Sequence, residues 1–274
     1  MNLKYLFIIL TAVNLSAQKI SGTIFTEKEQ PISDARIGIE NEDMGDITGK
    51  DGKYLIDLTN VDKNRIIKID VNGYQPFRMK VSDFEASNHY NLSLKEKTVE
   101  IENIKIIPKK YIQKNFGTRN SKRAYCGYNS DDKEKVFREY AIKVKNNSKL
   151  KVKKINLNVA SFIADQPITL IFDIQSAAGD FPGESIVNET LKLSITKDDI
   201  QNNAVSLDLN DKNIWTNEDF FVSVRTSDDF KGKLYIGGNI FAFSKATYYR
   251  NYFGVWQKFS AGEPSINVDV LMEK

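Results

Sequence analysis

Gly45-Asp-Ile-Thr-Gly-Lys-Asp-Gly-Lys-Tyr-Leu-Ile56 is the stretch that decides the fold of the first half of the chain. Asp51-Gly52 is a tight-turn dipeptide, because glycine tolerates positive φ and aspartate bonds its own backbone. A short strand is expected around Ile47, and the alternation from Tyr54 to Ile56 is typical of a half-buried strand. The stretch therefore predicts a β-hairpin against which the neighbouring strands pair.

The N-terminus has the pattern of a secretory signal peptide. Lys4 supplies a positive charge, and Tyr5 to Val13 form an apolar run that is too short to span a bilayer. Ala17 places a small residue at the expected cleavage point, so residues 1–17 are predicted to be removed. We expect an exported protein in the periplasm or at the outer-membrane surface, with no transmembrane segment after cleavage.

Residues 18–107 carry short alternating apolar stretches separated by turns, with no amphipathic helix of useful length. About seven strands of this kind predict a small β-sandwich. The order Gly22-Thr-Ile, Pro31-Ile-Ser-Asp-Ala-Arg-Ile37, Thr48 to Ile56 and Asn72-Gly-Tyr74 resembles the carboxypeptidase-regulatory-like domain, as do the closing stretches Leu92-Ser-Leu94 and Val99 to Ile106. The resemblance implies a seven-stranded transthyretin-like β-sandwich, common in exported proteins of Bacteroidetes, that is an accessory domain without peptidase activity.

Residues 108–131 are predicted to be a basic linker between two domains. The segment from 105 to 130 holds seven Lys and Arg residues and no acid, whereas the chain without Lys4 has 38 basic against 36 acidic residues. This near-balance of charge does not indicate nucleic acid as a partner. The local excess of positive charge, however, is a candidate contact for an anionic partner. The alternative is a solvated linker. The candidate contact residues are Lys109, Lys110, Lys114, Arg119, Lys122 and Arg123.

Residues 132–274 are rich in alternating strands, and about nine or ten of them predict a jelly-roll-like β-sandwich. Leu150 and Val152 lie in one phase of the alternation, while Ile155 and Leu157 lie in the other. This switch at Lys153-Lys154 predicts a β-bulge. The segment also resembles the C-terminal half of uncharacterised flavobacterial exported proteins, and this resemblance implies no activity.

The residues that catalysis commonly requires are scarce. The chain has one histidine, His89, and one cysteine, Cys126, so a zinc-peptidase ligand set with several histidines is excluded. A Cys126–His89 pair would need a tertiary contact, and Cys126 is interpreted as a small, partly buried thiol. No phosphate-binding glycine loop is present. No catalytic residue, metal ligand or cofactor is therefore predicted, although calcium in the acidic loops is left open.

An aromatic patch near the C-terminus is the most suggestive candidate for ligand binding. Exposed rings stack on sugars or peptide side chains, and neighbouring guanidinium and amide groups bond hydroxyls or carboxylates. The alternative is that the rings fill one end of the sandwich core. The predicted contact residues are Tyr248, Tyr249, Arg250, Tyr252 and Trp256.

The sequence favours a non-enzymatic exported envelope protein that serves as a binding, scaffolding or adhesion module for a glycan or a protein. One alternative is a glycan hydrolase that depends on carboxylates, because 36 acidic residues cannot exclude a catalytic pair. Another is a periplasmic subunit of an outer-membrane transport or secretion assembly. The identity of the partner and the oligomeric state are left open.

Overall fold

The computed structural model describes residues 19–87, 90–97, 110–119, 124–131, 137–240, 247–259 and 262–274. The described residues form β-strands and one short helix, α1 (Val81–Ser87), which confirms the predicted all-β class. The predicted signal peptide, the closing strand at 99–106, His89 and the linker residues Lys109, Lys122 and Arg123 lie outside these ranges.

The first sandwich has two sheets around an apolar core, with strand orders β4-β1-β7 and β3-β2-β5-β6. All pairs within it are antiparallel except β1 with β7. The predicted seven-stranded sandwich is confirmed for the described part of residues 18–107. Its strands are β1 (Lys19–Thr26), β2 (Arg36–Ile39), β3 (Gly45–Ile47), β4 (Lys53–Asp57), β5 (Ile66–Asp70), β6 (Phe77–Lys80) and β7 (Leu92–Leu94).

The turn at Asp51-Gly52 is present, but the predicted hairpin is wrong. Gly52 has a φ of 73°, yet β3 pairs with β2 and β4 pairs with β1, so the chain crosses from one sheet to the other. The Asp46 carboxylate accepts a hydrogen bond from the Leu55 N–H at 2.7 Å, in place of a ladder partner. The buried Thr48 hydroxyl donates to the Ile32 carbonyl at 2.7 Å and fixes the crossing. Alternation identifies a half-buried strand, but it does not identify the strand's partner.

The predicted linker is wrong over most of its described length. Tyr111–Gly117 is strand β8 and Ala124–Asn129 is strand β9, and both belong to the second sandwich. Phe116 and Cys126 pack against the apolar core from these strands. The high density of cations hid these two strands, because few of their side chains are apolar and face the core.

The second sandwich joins a seven-stranded and an eight-stranded sheet around one large apolar core. The chain passes repeatedly between the two sheets, as in the predicted jelly-roll-like sandwich. Its further strands are β10 (Arg138–Val144), β11 (Leu150–Ile163), β12 (Ile168–Ala178), β13 (Phe181–Ser185), β14 (Leu191–Ile195), β15 (Ala204–Asp208), β16 (Trp215–Thr216), β17 (Phe220–Thr226), β18 (Lys233–Asn239), β19 (Thr247–Asn251), β20 (Gln257–Lys258), β21 (Glu263–Pro264) and β22 (Ile266–Glu273).

The predicted β-bulge is confirmed. The register between β11 and β22 shifts between Val152 and Lys154. Val152 and Ile155 are both fully buried in the core, so the two lysines between them lie on the outer side of the sheet. The bulge therefore places two consecutive cations on one face, where regular alternation would place only one.

Candidate functional site

The outer face of the eight-stranded sheet carries a row of polar side chains across four adjacent strands, β15, β11, β22 and β8. The strand registers pair Ser206 with Asn156, Asn156 with Asn267, and Asp269 with Asn115. Side chains at paired positions lie on the same face, because alternation is common to neighbouring strands. We call this row the polar ladder, formed by Asn115, Asn156, Ser206, Asn267 and Asp269.

Hydrogen bonds connect the polar ladder from one edge to the other. The Ser206 hydroxyl donates to Asn156 Oδ1 at 2.6 Å, and Asn156 Nδ2 donates to Asp269 Oδ2 at 2.9 Å and to Asn267 Oδ1 at 3.1 Å. Asn115 Nδ2 donates to Asn267 Oδ1 at 2.6 Å and to Asp269 Oδ1 at 2.8 Å. Both amide donors of Asn115 and of Asn156 are thus used within the ladder, which fixes the orientation of its side chains.

A cleft of about 430 Å³ lies over this face and is lined by four cations. Lys114 and Arg119 come from β8 and the residues after it, and Lys153 and Lys154 come from the bulge in β11. Asp269 on β22 is the one carboxylate among the residues that line the cleft. Lys114 pairs with the core residue Val270, so its side chain leaves β8 on the inner side of the sheet, at the sheet edge. We call Arg119, Lys153 and Lys154 the cationic cleft.

The cations of the cleft are largely uncommitted. Within the described ranges, Lys114, Lys153 and Lys154 form no ion pair within 4.0 Å, and Arg119 donates from Nε to Asn115 Oδ1 at 2.6 Å. Hydrogen bonds from Asn210 lower the pKa of the neighbouring Asp208, and Lys154 and Lys153 act in the same direction. The cleft therefore combines a fixed polar floor with cations that are free to bind an anionic group.

The structure brings together part of the predicted anionic contact and adds to it. Arg119 belongs to the cationic cleft, Lys114 leaves β8 on the other face of the sheet, and Lys110 is exposed just before β8. Lys153 and Lys154 were missed as contact residues, because they lie far from the basic segment in sequence. The phase switch that predicted the bulge was the signal that could have found them.

The aromatic patch differs from the prediction of exposed rings. Tyr248 and Trp256 are buried with Ala141 and Phe221, at 2% and 8% exposure for the two predicted residues. Their burial removes the open ring faces on which the predicted stacking depends. These two rings pack in the interior, which is the alternative to ligand binding that the sequence left open.

The remaining members of the patch have intramolecular contacts of their own. The Tyr249 hydroxyl donates to Gln257 Oε1 at 2.6 Å, and its ring lies against Phe259 with centroids 5.1 Å apart. The half-buried Tyr252 ring packs edge-on against Phe137 at 5.5 Å. The Arg250 guanidinium lies 4.3 Å from the centroid of the buried Trp256 ring. A ligand-binding role for the patch stays a prediction.

A buried cluster of charges joins the two sandwiches. Glu139 on β10 is 3% exposed and accepts hydrogen bonds from Arg36 Nη1 at 2.7 Å, Arg250 Nε at 2.8 Å and the Ser223 hydroxyl at 2.6 Å. Arg36 lies on β2 of the first sandwich, whereas Glu139, Arg250 and Ser223 lie on the seven-stranded sheet of the second. The Arg36 guanidinium also lies 4.5 Å from the centroid of the Phe253 ring. We call Arg36, Glu139, Ser223 and Arg250 the interface cluster.

Two carboxylates at this interface have perturbed pKa values. Burial acts to raise the pKa of Glu139, but the positive charges of Arg250 and Arg36 outweigh it and hold the pKa well below its ordinary value. Burial raises the pKa of Asp173 to about 6, although hydrogen bonds from Ser185 and Gln175 oppose the rise. Both perturbations arise where the two sandwiches bury polar groups against each other.

The described residues bear on the possible metal and thiol chemistry of the protein. There, no group of three or more His, Cys, Asp or Glu side chains is arranged to hold a metal ion. Burial raises the pKa of the Cys126 thiol to about 12, so it is protonated at neutral pH. This agrees with the interpretation of Cys126 as a partly buried thiol. None of the described helices has the length and apolar character needed to cross a membrane.

Comparison with known families decides the nature of the first sandwich. The family described as CarboxypepD_reg-like domain matches residues 20–106, which include β1 to β7. Residues 20–106 are a CarboxypepD_reg-like domain. This confirms the resemblance found in the sequence. Arg36 of the interface cluster therefore belongs to the CarboxypepD_reg-like domain, while the cationic cleft lies outside it.

Two solved structures of a clostridial protein share a distant similarity with the chain. One is a variant of the cysteine protease Cwp84 after propeptide cleavage, with 8% identity, a TM-score of 0.42, and coverage of 87% of this chain and 65% of that chain. The other contains the cysteine protease and lectin-like domains of Cwp84, a surface layer associated protein of Clostridium difficile, with 7% identity, a TM-score of 0.38, and coverage of 83% and 45%. The chain thus spans less than two thirds of either structure. No curated protein sequence gives a significant match.

Proposed function

We propose that the protein is a non-enzymatic, exported binding module of the bacterial envelope, and that the outer face of its second sandwich holds the ligand. The observation that carries the proposal is the cationic cleft, in which three cations lie beside a hydrogen-bonded polar floor. A fixed floor with uncommitted charges lowers the entropic cost of binding, because the contact surface is ordered before the ligand arrives.

The CarboxypepD_reg-like domain serves in this proposal as a support. Arg36 and Glu139 bridge the two sandwiches within the protein interior, and Arg225 Nη2 also donates across the boundary to the Asp34 carbonyl at 2.8 Å. These contacts lie on the seven-stranded sheet, on the side of the second sandwich opposite the polar ladder. The arrangement leaves the polar ladder uncovered by the first domain.

We favour a non-enzymatic role because of the contacts made by Glu139, the buried carboxylate whose pKa is lowered. A glycan hydrolase needs an acid and a second carboxylate on either side of an accessible sugar. Glu139 is 3% exposed and is surrounded by Arg36 and Arg250. Its contacts explain its perturbed pKa without a substrate, so we favour binding over hydrolysis.

Sedimentation of the purified protein with isolated cell envelopes tests this proposal. We expect saturable binding that weakens as salt concentration rises, because exposed charge contacts are screened, and we expect no release of new reducing ends. Release of reducing ends would favour the hydrolase alternative. Absence of binding to every envelope fraction would overturn the proposal, while binding that requires one membrane protein would favour the periplasmic-subunit alternative.

A further inference from the structure

We propose that the cationic cleft binds an acidic polysaccharide, a chain of sugars that bear carboxylate groups. This inference rests on the proposed binding function and names the class of ligand. Its first basis is the set of hydrogen-bond donors in the cleft that have no partner in the part of the chain that the structure describes. The amide donors of Asn115 and Asn156 are already used within the polar ladder. Among the described residues, the uncommitted donors of the cleft are therefore charged: the ammonium groups of the lysines and the two NH₂ groups of Arg119. A neutral sugar would gain little from such a surface, whereas a carboxylate forms strong, charge-assisted hydrogen bonds with lysine.

The placement of the cations favours a polymer over a small anion. Arg119 is bonded to Asn115 of β8 and Lys154 lies on β11, and β22 lies between these strands. Neighbouring strands are roughly 5 Å apart, so the two groups of cations are separated by roughly 10 Å across the sheet. A single carboxylate or phosphate can reach only one group at a time. A chain with repeated acid groups can engage both.

The floor between the two groups of cations favours sugars over other polyanions. Asp269 lies on β22 in the middle of the cleft, and each of its oxygens accepts one amide hydrogen bond from the ladder. A carboxylate oxygen has two lone pairs, so each one retains an acceptor site. Sugar hydroxyls can donate to these sites, whereas the phosphodiester backbone of DNA has no hydroxyl group that could donate to them. Across the cleft, cations lie on either side of a hydrogen-bond acceptor. This arrangement fits a ligand whose acid groups are separated by hydroxyl groups.

Calorimetry with oligogalacturonate, and with the same oligomer fully methyl-esterified, tests the inference. The methyl ester keeps the sugar chain and its hydroxyls but removes the charge. We expect the acidic oligomer to bind the full chain and the ester to bind at least about tenfold more weakly, since hydrogen bonds to charged groups contribute this much or more. Equal affinity for the two oligomers would overturn the inference.

Paired variants locate the binding. Lys153→Gln with Lys154→Gln is expected to weaken binding of the acidic oligomer about tenfold or more. The matched control is Lys28→Gln with Lys197→Gln, which removes the same charge from exposed positions that do not line the cleft. The control is expected to bind as the unmodified chain does, and circular dichroism should show that both variants fold. Equal losses in the two variants would overturn the inference in favour of a general charge effect.

The outcomes separate this inference from the proposed function. If oligogalacturonate fails to bind while envelopes are still bound, the inference is wrong and the binding function stands. If neither binds, both are wrong. Anionic phospholipid vesicles and single-stranded DNA are tested in parallel. Suppose that one of these two probes binds, that Lys153→Gln with Lys154→Gln abolishes this binding, and that oligogalacturonate does not bind. The ligand would then be a membrane or a nucleic acid and not a polysaccharide.

Discussion

Replacement of Glu139 by glutamine is expected to destabilise the protein strongly, because Glu139 is the anion on which two buried guanidinium groups converge. Arg36 Nη1 and Arg250 Nε donate to Glu139 Oε2 at 2.7 and 2.8 Å, and Arg250 Nη2 forms an ion pair with the same oxygen at 2.7 Å. Glutamine has nearly the same shape but no charge, and its NH₂ group faces donors. The substitution leaves two buried positive charges with Asp70, 3.9 Å from Arg36 Nη2, as the nearest remaining ion-pair partner.

The magnitude follows from the cost of leaving a buried charge unpaired. Removal of one partner of a buried ion pair typically costs about 3–5 kcal/mol. For a chain of this size, each kcal/mol corresponds to a shift in Tm of roughly 2–4 °C. We therefore expect Glu139→Gln to lower Tm by roughly 6–20 °C, with the largest share of the loss at the contact between the two sandwiches.

Urea unfolding and calorimetry of Glu139→Gln and of a matched control provide the measurement. The control is Glu184→Gln, because Glu184 also pairs across the two sandwiches, with Arg78 Nη2 at 3.7 Å, but its side chain is 70% exposed. An exposed pair contributes about 0–1 kcal/mol, so the control should change little. A loss below about 1 kcal/mol for Glu139→Gln, or equal losses in the two variants, would refute the account of the interface cluster.

Three further predictions concern the interior. Burial raises the pKa of Asp173 to about 6 from the ordinary 3.8, so the native state retains a proton that the unfolded chain releases. Stability should therefore fall by up to about 3 kcal/mol as pH rises from about 4 to about 6, and Asp173→Asn should remove this fall in pH-dependent urea unfolding. The Cys126 thiol should react with a thiol reagent much more slowly in the native protein than in urea, and equal rates would contradict its burial. Gly22→Ala should destabilise the first sandwich, because a Cβ there would lie 1.9 Å from the Tyr90 carbonyl oxygen, whereas Gly49→Ala meets no atom closer than 3.3 Å and should change Tm far less.

Local patterns in the sequence were sufficient for the class of fold and for most of the strands, but not for β8 and β9. The alternation around Lys153-Lys154 located a bulge to the residue, because a change of phase leaves core positions on the wrong face unless an extra residue is inserted. The same kind of pattern failed at Gly52, where a tight turn joins two sheets instead of two paired strands. Periodicity reports which face of a strand is buried, and it carries no information about which strand lies beside it.

The candidate site could be predicted only in part. Arg119 belongs to a basic segment that is visible in the sequence, but Lys153 and Lys154 lie near it only because β22 joins β8 and β11 in one sheet. The contact of Arg36 with Glu139 spans 103 residues of sequence. Such long-range pairs depend on the assembled sheets, so neither composition nor spacing could identify them.

The central claim is that the cationic cleft is the face that binds the ligand. Amide chemical-shift mapping of the isotope-labelled protein with oligogalacturonate tests this claim most directly. The account predicts that the shifts concentrate at residues 113–119, at Lys153 and Lys154, and around Asp269, and that they saturate together. Shifts centred on the aromatic patch at 248–256, or no shifts at all in the presence of the acidic oligomer, would contradict it.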